Sequence, residues 1–148
     1  MIADGTLTDT GPLFALMDAR GQPAENARCH ALMPVLAKPL VTTWPCFTAA
    51  LYLCLQRGGW QLQNLLWSLW YDGGLRMHSL SEAETGRVAA LMEKYQDTPM
   101  DAADASLIAL AETAGYMQIF SIDSDFYVYR LADGTALEVV PGPMSKGR

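Results

Sequence analysis

Asp101-Ala102-Ala103-Asp104-Ala105-Ser106-Leu107-Ile108 opens a helix-forming segment that continues to Ala114 and is closed by Gly115. Glycine just past the last helical residue is a common helix stop, because it enters the left-handed conformation without steric cost. Gln118-Ile119-Phe120-Ser121-Ile122 then reads as a buried strand, and Asp123-Ser124-Asp125 as the turn that ends it. A helix that feeds a strand in this way is half of a parallel α/β unit. Asp101 and Asp104 are three residues apart, so both can face the same side of their helix.

The same grammar extends outward. Leu7-Thr8-Asp9 reads as the end of a first strand starting near Thr6, and Gly11-Pro12 turns the chain into a helix striped by Leu13, Leu16 and Met17. Gly21-Gln22-Pro23 breaks it, and a second helix is expected from about Ala24 to Leu36. Leu40-Val41-Thr42-Thr43 is β-prone, and Trp44-Pro45 opens a helix to about Leu55. Arg57-Gly58-Gly59 interrupts before a helix from Trp60 to Tyr71. Leu75 to Leu80 alternates as a strand, and Ser81 with Glu84 forms a capping-box pattern for a helix to about Tyr95. Phe126 to Leu131 reads as extended, and Asp133-Gly134 as a hairpin-type turn before Leu137-Glu138-Val139-Val140. Strands alternating with helices predict an α/β fold with a mainly parallel sheet covered by helices on both faces. One domain is expected over residues 1–148, with a flexible tail from about Pro141.

Bulk properties agree. A chain of 148 residues that is 51% hydrophobic and 18% charged can fill one core. No apolar run approaches the roughly 18 residues of a membrane span, and the first residues do not resemble a signal peptide. Cys29, Cys46 and Cys54 are odd in number and form no C-x-x-C pair, which fits buried free thiols and a cytoplasmic location. A net charge of −6 argues against a protein that coats nucleic acid nonspecifically. It is compatible with an enzyme that gathers acids into one pocket.

Such a pocket is what the strand ends predict. Ligands of an open parallel sheet bind at the carboxyl ends of its strands. Asp9 lies at one such end, Asp123 and Asp125 at another, and Asp104 in the first turn of the helix leading to the latter. Clustered carboxylates repel one another unless a cation compensates, and Mg²⁺ or Mn²⁺ prefers oxygen ligands. A bound divalent ion activates water and supports phosphodiester hydrolysis. Each acid also has a simpler reading. Asp101 and Asp9 suit helix caps, Asp104 suits the positive end of a helix, and Asp123 and Asp125 suit a turn. No Ser-His-Asp or Cys-His arrangement competes for catalysis.

Four segments in register carry a resemblance. They are Asp9-Thr10-Gly11-Pro12-Leu13; Thr42-Thr43-Trp44-Pro45 with Thr48; Met100 to Leu107; and Ile119 to Phe126 with Tyr129-Arg130. They resemble the PIN-domain family, in particular the VapC-like toxin ribonucleases of type II toxin–antitoxin systems. The resemblance implies a PIN-like three-layer α/β/α sandwich and RNA cleavage by a metal-activated water. It also implies Mg²⁺ or Mn²⁺ at Asp9, Asp104 and the Asp123/Asp125 turn, a cognate antitoxin, and often a homodimer. The sequence departs from the pattern once: Ala49 stands where the family has a glutamate. Either the protein is a weakly active or inactive relative, or a substitution has disarmed a toxin.

Other features carry lesser expectations. Thr10 and Arg130 are candidate substrate-binding residues, Arg130 through a bidentate phosphate contact. Arg130 reads equally as one member of a surface ion pair. Thr10 and Ser121 could bond a carboxylate, a water or turn backbone. Trp60, Leu65, Trp67, Leu69, Trp70 and Tyr71 read as core or as an interface rather than as base-stacking residues, since no basic residue lies among them. A non-catalytic PIN-fold module that binds RNA or an antitoxin is the alternative function, favoured by Ala49. A phosphorelay receiver would also gather aspartates, but no Lys follows the Gln118–Ile122 strand.

Overall fold

The computed structural model describes residues 3–142. The elements run β1 (Thr6–Thr8), α1 (Thr10–Met17), α2 (Pro23–Leu32), a 3-10 turn (Met33–Val35), β2 (Leu40–Thr43) and α3 (Trp44–Tyr71). β3 (Arg76–His78), α4 (Glu82–Lys94), α5 (Ala102–Ala114), β4 (Gln118–Phe120), a second 3-10 turn (Ser124–Tyr127) and β5 (Glu138–Val140) follow. Among the described residues the strands form one five-stranded sheet in the order β3-β2-β1-β4-β5, parallel throughout.

Alternation along these short strands divides the core into two layers. Leu7, Val41, Ile119 and Val139 point to one face, where they meet Leu107, Ile108 and Leu110 of α5 and Val88 and Leu91 of α4. Leu40 and Phe120 point to the other, against Leu13 and Leu16 of α1 and Phe47, Ala50 and Leu66 of α3. The result is the three-layer α/β/α sandwich expected from the sequence.

Local chemistry explains most boundaries. Gly115 ends α5 in the left-handed conformation at φ 82°. α4 carries a complete capping box: Glu84 N–H donates to Ser81 Oγ, and Glu84 Oε1 accepts from Ser81 N at 2.8 Å. Glu84 also accepts from Thr113 Oγ1 and lies 2.8 Å from His78 Nε2, tying α4, α5 and the end of β3 together. Burial raises the Glu84 pKa, but these hydrogen bonds outweigh it and bring the group to about 2. The expected interruption of α3 is a kink at Gly59, with φ 65° and ψ −155°.

Three expectations are corrected. Phe126 to Leu131 is not extended. Asp123 caps the segment by accepting from Asp125 N, so the chain coils into a 3-10 turn. Phe126 and Tyr129 then fall on one side and stack edge-on, with Tyr95 against Tyr129. Asp133-Gly134 does turn the chain, with Leu131 N donating to Thr135 O, but it makes no hairpin. β5 instead pairs in parallel with β4, from Gln118↔Glu138 to Phe120↔Val140. The second helix stops at Leu32, where Pro34 forces the following residues into a 3-10 turn. Most of the expected flexible tail, residues 143–148, lies outside the described residues.

Candidate metal and nuclease site

β1 and β4 are neighbours, with Leu7 opposite Ile119 and Thr8 opposite Phe120, so their carboxyl ends emerge together. Asp9 therefore leaves β1 beside Ser121, and its N–H continues the ladder to Phe120 O at 3.0 Å. Its side chain caps α1 by accepting from Thr10 N at 2.8 Å, while its other oxygen accepts from Ser121 Oγ at 2.9 Å. Ser121 Oγ in turn accepts from Asp123 N at 3.0 Å, which orients the turn carrying the next acid. Asp104 comes from the first turn of α5, whose cap Asp101 accepts from Asp104 N at 2.8 Å.

One carboxylate oxygen from each of Asp9, Asp104 and Asp123 lies within 4.8 Å of the others. Asp9 and Asp104 are buried and Asp123 is half-buried. Burial, followed by the like charges of neighbouring acids, pushes Asp104 up to about 8. Burial likewise raises Asp9 to about 6, against the lowering effect of its bonds from Ser121 and Thr10. Two acids that resist ionisation, grouped with the Asp123 carboxylate within 4.8 Å, suit a hard divalent cation. Tyr129 OH approaches Asp104 at 3.4 Å, and burial together with the Asp104 charge raises the phenol pKa. Cys46 lies beneath the site, and burial pushes its thiol up to about 12, which makes it an inert packing residue.

The acids open into a hollow of about 370 Å³. Besides the three acids, it is lined by Thr10, Gly11 and Ile122, by Ala49, Tyr52 and Leu53 of α3, and by Asp101. A Cβ on Gly11 would meet Ile122 Cγ1 at 2.9 Å, so Ile122 would have to shift to admit one.

Of the residues singled out from the sequence, Asp9, Asp104 and Asp123 converge, with Asp101 at the rim. Asp125 lies outside the cluster, its N–H holding Asp123 Oδ1 at 2.9 Å. Ala49 sits in the wall of the hollow, so no side-chain oxygen reaches the acids from that position. Thr10 borders the hollow while its hydroxyl donates to Cys46 O at 3.3 Å. Arg130 makes no ion pair among the described residues. It donates to Tyr127 O and Tyr129 O at 2.7 and 3.0 Å and so fixes its own loop. Sequence reasoning did not single out Tyr52, Leu53 or Ile122. No sequence signal marks them, because their place beside the acids comes from packing.

Fold and site together define a PIN-like α/β/α protein with carboxylates gathered at the carboxyl edge of its sheet. No protein-family model matches the chain, and no curated protein does. Solved structures do. VapC20 of Mycobacterium tuberculosis, a sarcin–ricin loop cleaving toxin, superposes with a TM-score of 0.76 at 15% identity, over 83% of this chain and 93% of its own. A toxin–antitoxin complex from Klebsiella pneumoniae gives 0.61 at 14% identity, over 82% and 89% of the two chains. At these identities the likeness is one of fold.

Proposed function

We propose that the protein is a Mg²⁺- or Mn²⁺-dependent endoribonuclease, a VapC-like toxin that hydrolyses RNA phosphodiesters. The observation that carries this reading is the convergence of Asp9, Asp104 and Asp123 within 4.8 Å at the sheet edge. The shared fold of a sarcin–ricin loop cleaving toxin and of a toxin–antitoxin complex supports it. So does the lack, among the described residues, of a nucleophile–histidine pair beside the acids: Cys46 is buried beneath them with its pKa raised, and His78 bonds Glu84.

Asp9, Asp104 and Asp123 would hold the ion, which supplies an activated water and offsets charge on the phosphate. The remaining work belongs to the chain. Ser121 and the Thr10 amide fix the Asp9 carboxylate, while Asp101 anchors the helical turn that presents Asp104. The turn at Asp125 fixes Asp123. Thr10, at the rim, is positioned to meet substrate. Asp125 contributes to the site through the turn it stabilises, and Arg130 by adding positive charge behind that turn. With Ala at position 49, metal affinity and turnover are lower than four oxygen-bearing residues would give. A cognate antitoxin restrains the toxin in the cytoplasm, and the active form is a homodimer.

Incubation of end-labelled RNA with the purified protein in Mn²⁺ or Mg²⁺, with and without EDTA, tests this reading. Cleavage is expected with metal, and is lost in EDTA and in Asp104→Asn. Cleavage that persists in EDTA, or none at any metal concentration, would overturn it.

A further inference from the structure

A second hollow of about 240 Å³ adjoins the acidic one, and the two share Ile122 and Asp123 as a common wall. Its own lining brings together Arg28 from α2, Ser124 and Tyr127 from the turn after β4, and the backbone of Pro141-Gly142. The two hollows differ in chemistry. The acidic one offers oxygens to a cation, whereas the second offers a guanidinium and an aromatic ring.

Tyr127 is 40% exposed and Ile122 41% exposed, so a ring face and an apolar edge both meet solvent at this boundary. Arg28 reaches the hollow with Nη2 lying 3.4 Å from Gly142 O, and among the described residues it forms no ion pair. Glu25 shares with Arg28 the lining of a different hollow and does not line this one. The turn that carries Tyr127 is held: Arg130 donates to Tyr127 O at 2.7 Å, and Tyr129 is buried beneath it. An aromatic ring and a cation lining one hollow, which shares Ile122 and Asp123 with the acidic one, suit a nucleotide next to the scissile phosphate. The base would stack on Tyr127, and its phosphate would pair with Arg28.

We infer that Arg28 and Tyr127 form a subsite for one single-stranded nucleotide flanking the cleaved bond, with Ile122 separating that nucleotide from the metal pocket. This rests on the ribonuclease reading and adds to it a strand path and a demand for an unpaired base. Charge agrees locally: in a chain of net charge −6, Arg28 places a positive charge in the lining of this hollow.

The test pairs Tyr127→Leu and Tyr127→Phe with oligoribonucleotides carrying one abasic site, moved stepwise along the strand. Cleavage in Mn²⁺ is read as separate kcat and KM values. Loss of one stacked base is worth about tenfold. Tyr127→Leu should therefore raise KM about tenfold on intact RNA, and Tyr127→Phe should leave it unchanged. An abasic site at one position beside the cut should cost wild type the same factor and cost Tyr127→Leu nothing further. Arg28→Gln should raise KM, with rescue by Arg28→Lys. If wild type cleaves but the Leu variant matches it, or if the losses add at every position, the subsite is wrong and the nuclease stands. If wild type cleaves no RNA, both readings fall.

Discussion

Ser121 Oγ donates to Asp9 Oδ2 at 2.9 Å, joining residues 112 positions apart across the carboxyl ends of β4 and β1. The same oxygen accepts from Asp123 N, so one hydroxyl orients two of the three clustered acids. Ser121→Ala strips both partners inside a buried site. Leaving such groups unmet costs about 1–3 kcal/mol. Urea denaturation should show that loss, and a Mn²⁺ titration should show weaker binding, because Asp9 loses the bond that holds its pKa down.

Without metal, the acidic cluster makes stability fall as pH rises. Asp9 at about 6 and Asp104 at about 8 both lie above the ordinary 3.8. Between these values the folded protein binds more protons than the unfolded chain, so raising the pH favours unfolding. Melting temperature in EDTA should therefore decline from about pH 4 to pH 8. Mg²⁺ or Mn²⁺ should reverse the decline, since a ligand at about 100 times its Kd adds about 2.7 kcal/mol. Equal shifts at pH 5 and pH 8 on adding metal would place the ion elsewhere.

Glu84 acts in the opposite sense and at lower pH. Its folded value near 2 lies below the ordinary 4.5, so its contribution is present above about 4.5 and is lost as pH falls toward 2. The metal-free protein should thus be most stable near the join of the two windows, at mildly acidic pH. Glu84→Gln, followed by acid titration of the circular-dichroism signal, should flatten the acid limb and leave the alkaline one intact.

Ala49→Glu places a carboxylate in the lining of the hollow that holds Asp9 and Asp104. Residues supporting a metal site commonly change affinity or activity by about 10–100-fold. Mn²⁺ affinity by isothermal calorimetry and RNA cleavage should both rise by about tenfold or more on that scale. Unchanged values would mean that position 49 does not face the ion.

The Gly59 kink isolates a purely backbone effect. A Cβ there meets nothing within 4 Å, yet φ 65° with ψ −155° is a conformation that only glycine adopts readily. Gly59→Ala should cost about 1–3 kcal/mol by thermal or urea unfolding. It should leave metal binding intact.

How much was legible in the sequence follows from what each signal depends on. Asp9, Asp104 and Asp123 could be brought together on paper because alternating strands and helices put their segments at one edge of a parallel sheet. Asp123 and Asp125 could not be told apart, since both are turn residues. Their division rests on an amide of one bonding the carboxylate of the other. The stretch from Phe126 misled because aromatic residues favour strands. Here their three-residue spacing mattered more, letting Phe126 and Tyr129 bury side by side. The Asp133-Gly134 turn was read as a hairpin because local turn chemistry is blind to the direction in which a strand later pairs. Tyr52 and Ile122 left no local trace at all; their place beside the acids is a property of packing.

Gly11 contributes to this site by having no side chain. Because nothing projects from it, Ile122 can lean against the first turn of α1, and the spacing between that helix and the acidic loop is set by bare backbone. Adding even one methyl there would press on Ile122 and, through the chain, on Asp123 next to it. Gly11 lines the acidic hollow without offering it a side chain, and so leaves room for Ile122 beside Asp123. Gly11→Ala would therefore be felt first in the shape of that hollow, where Ile122 must give way.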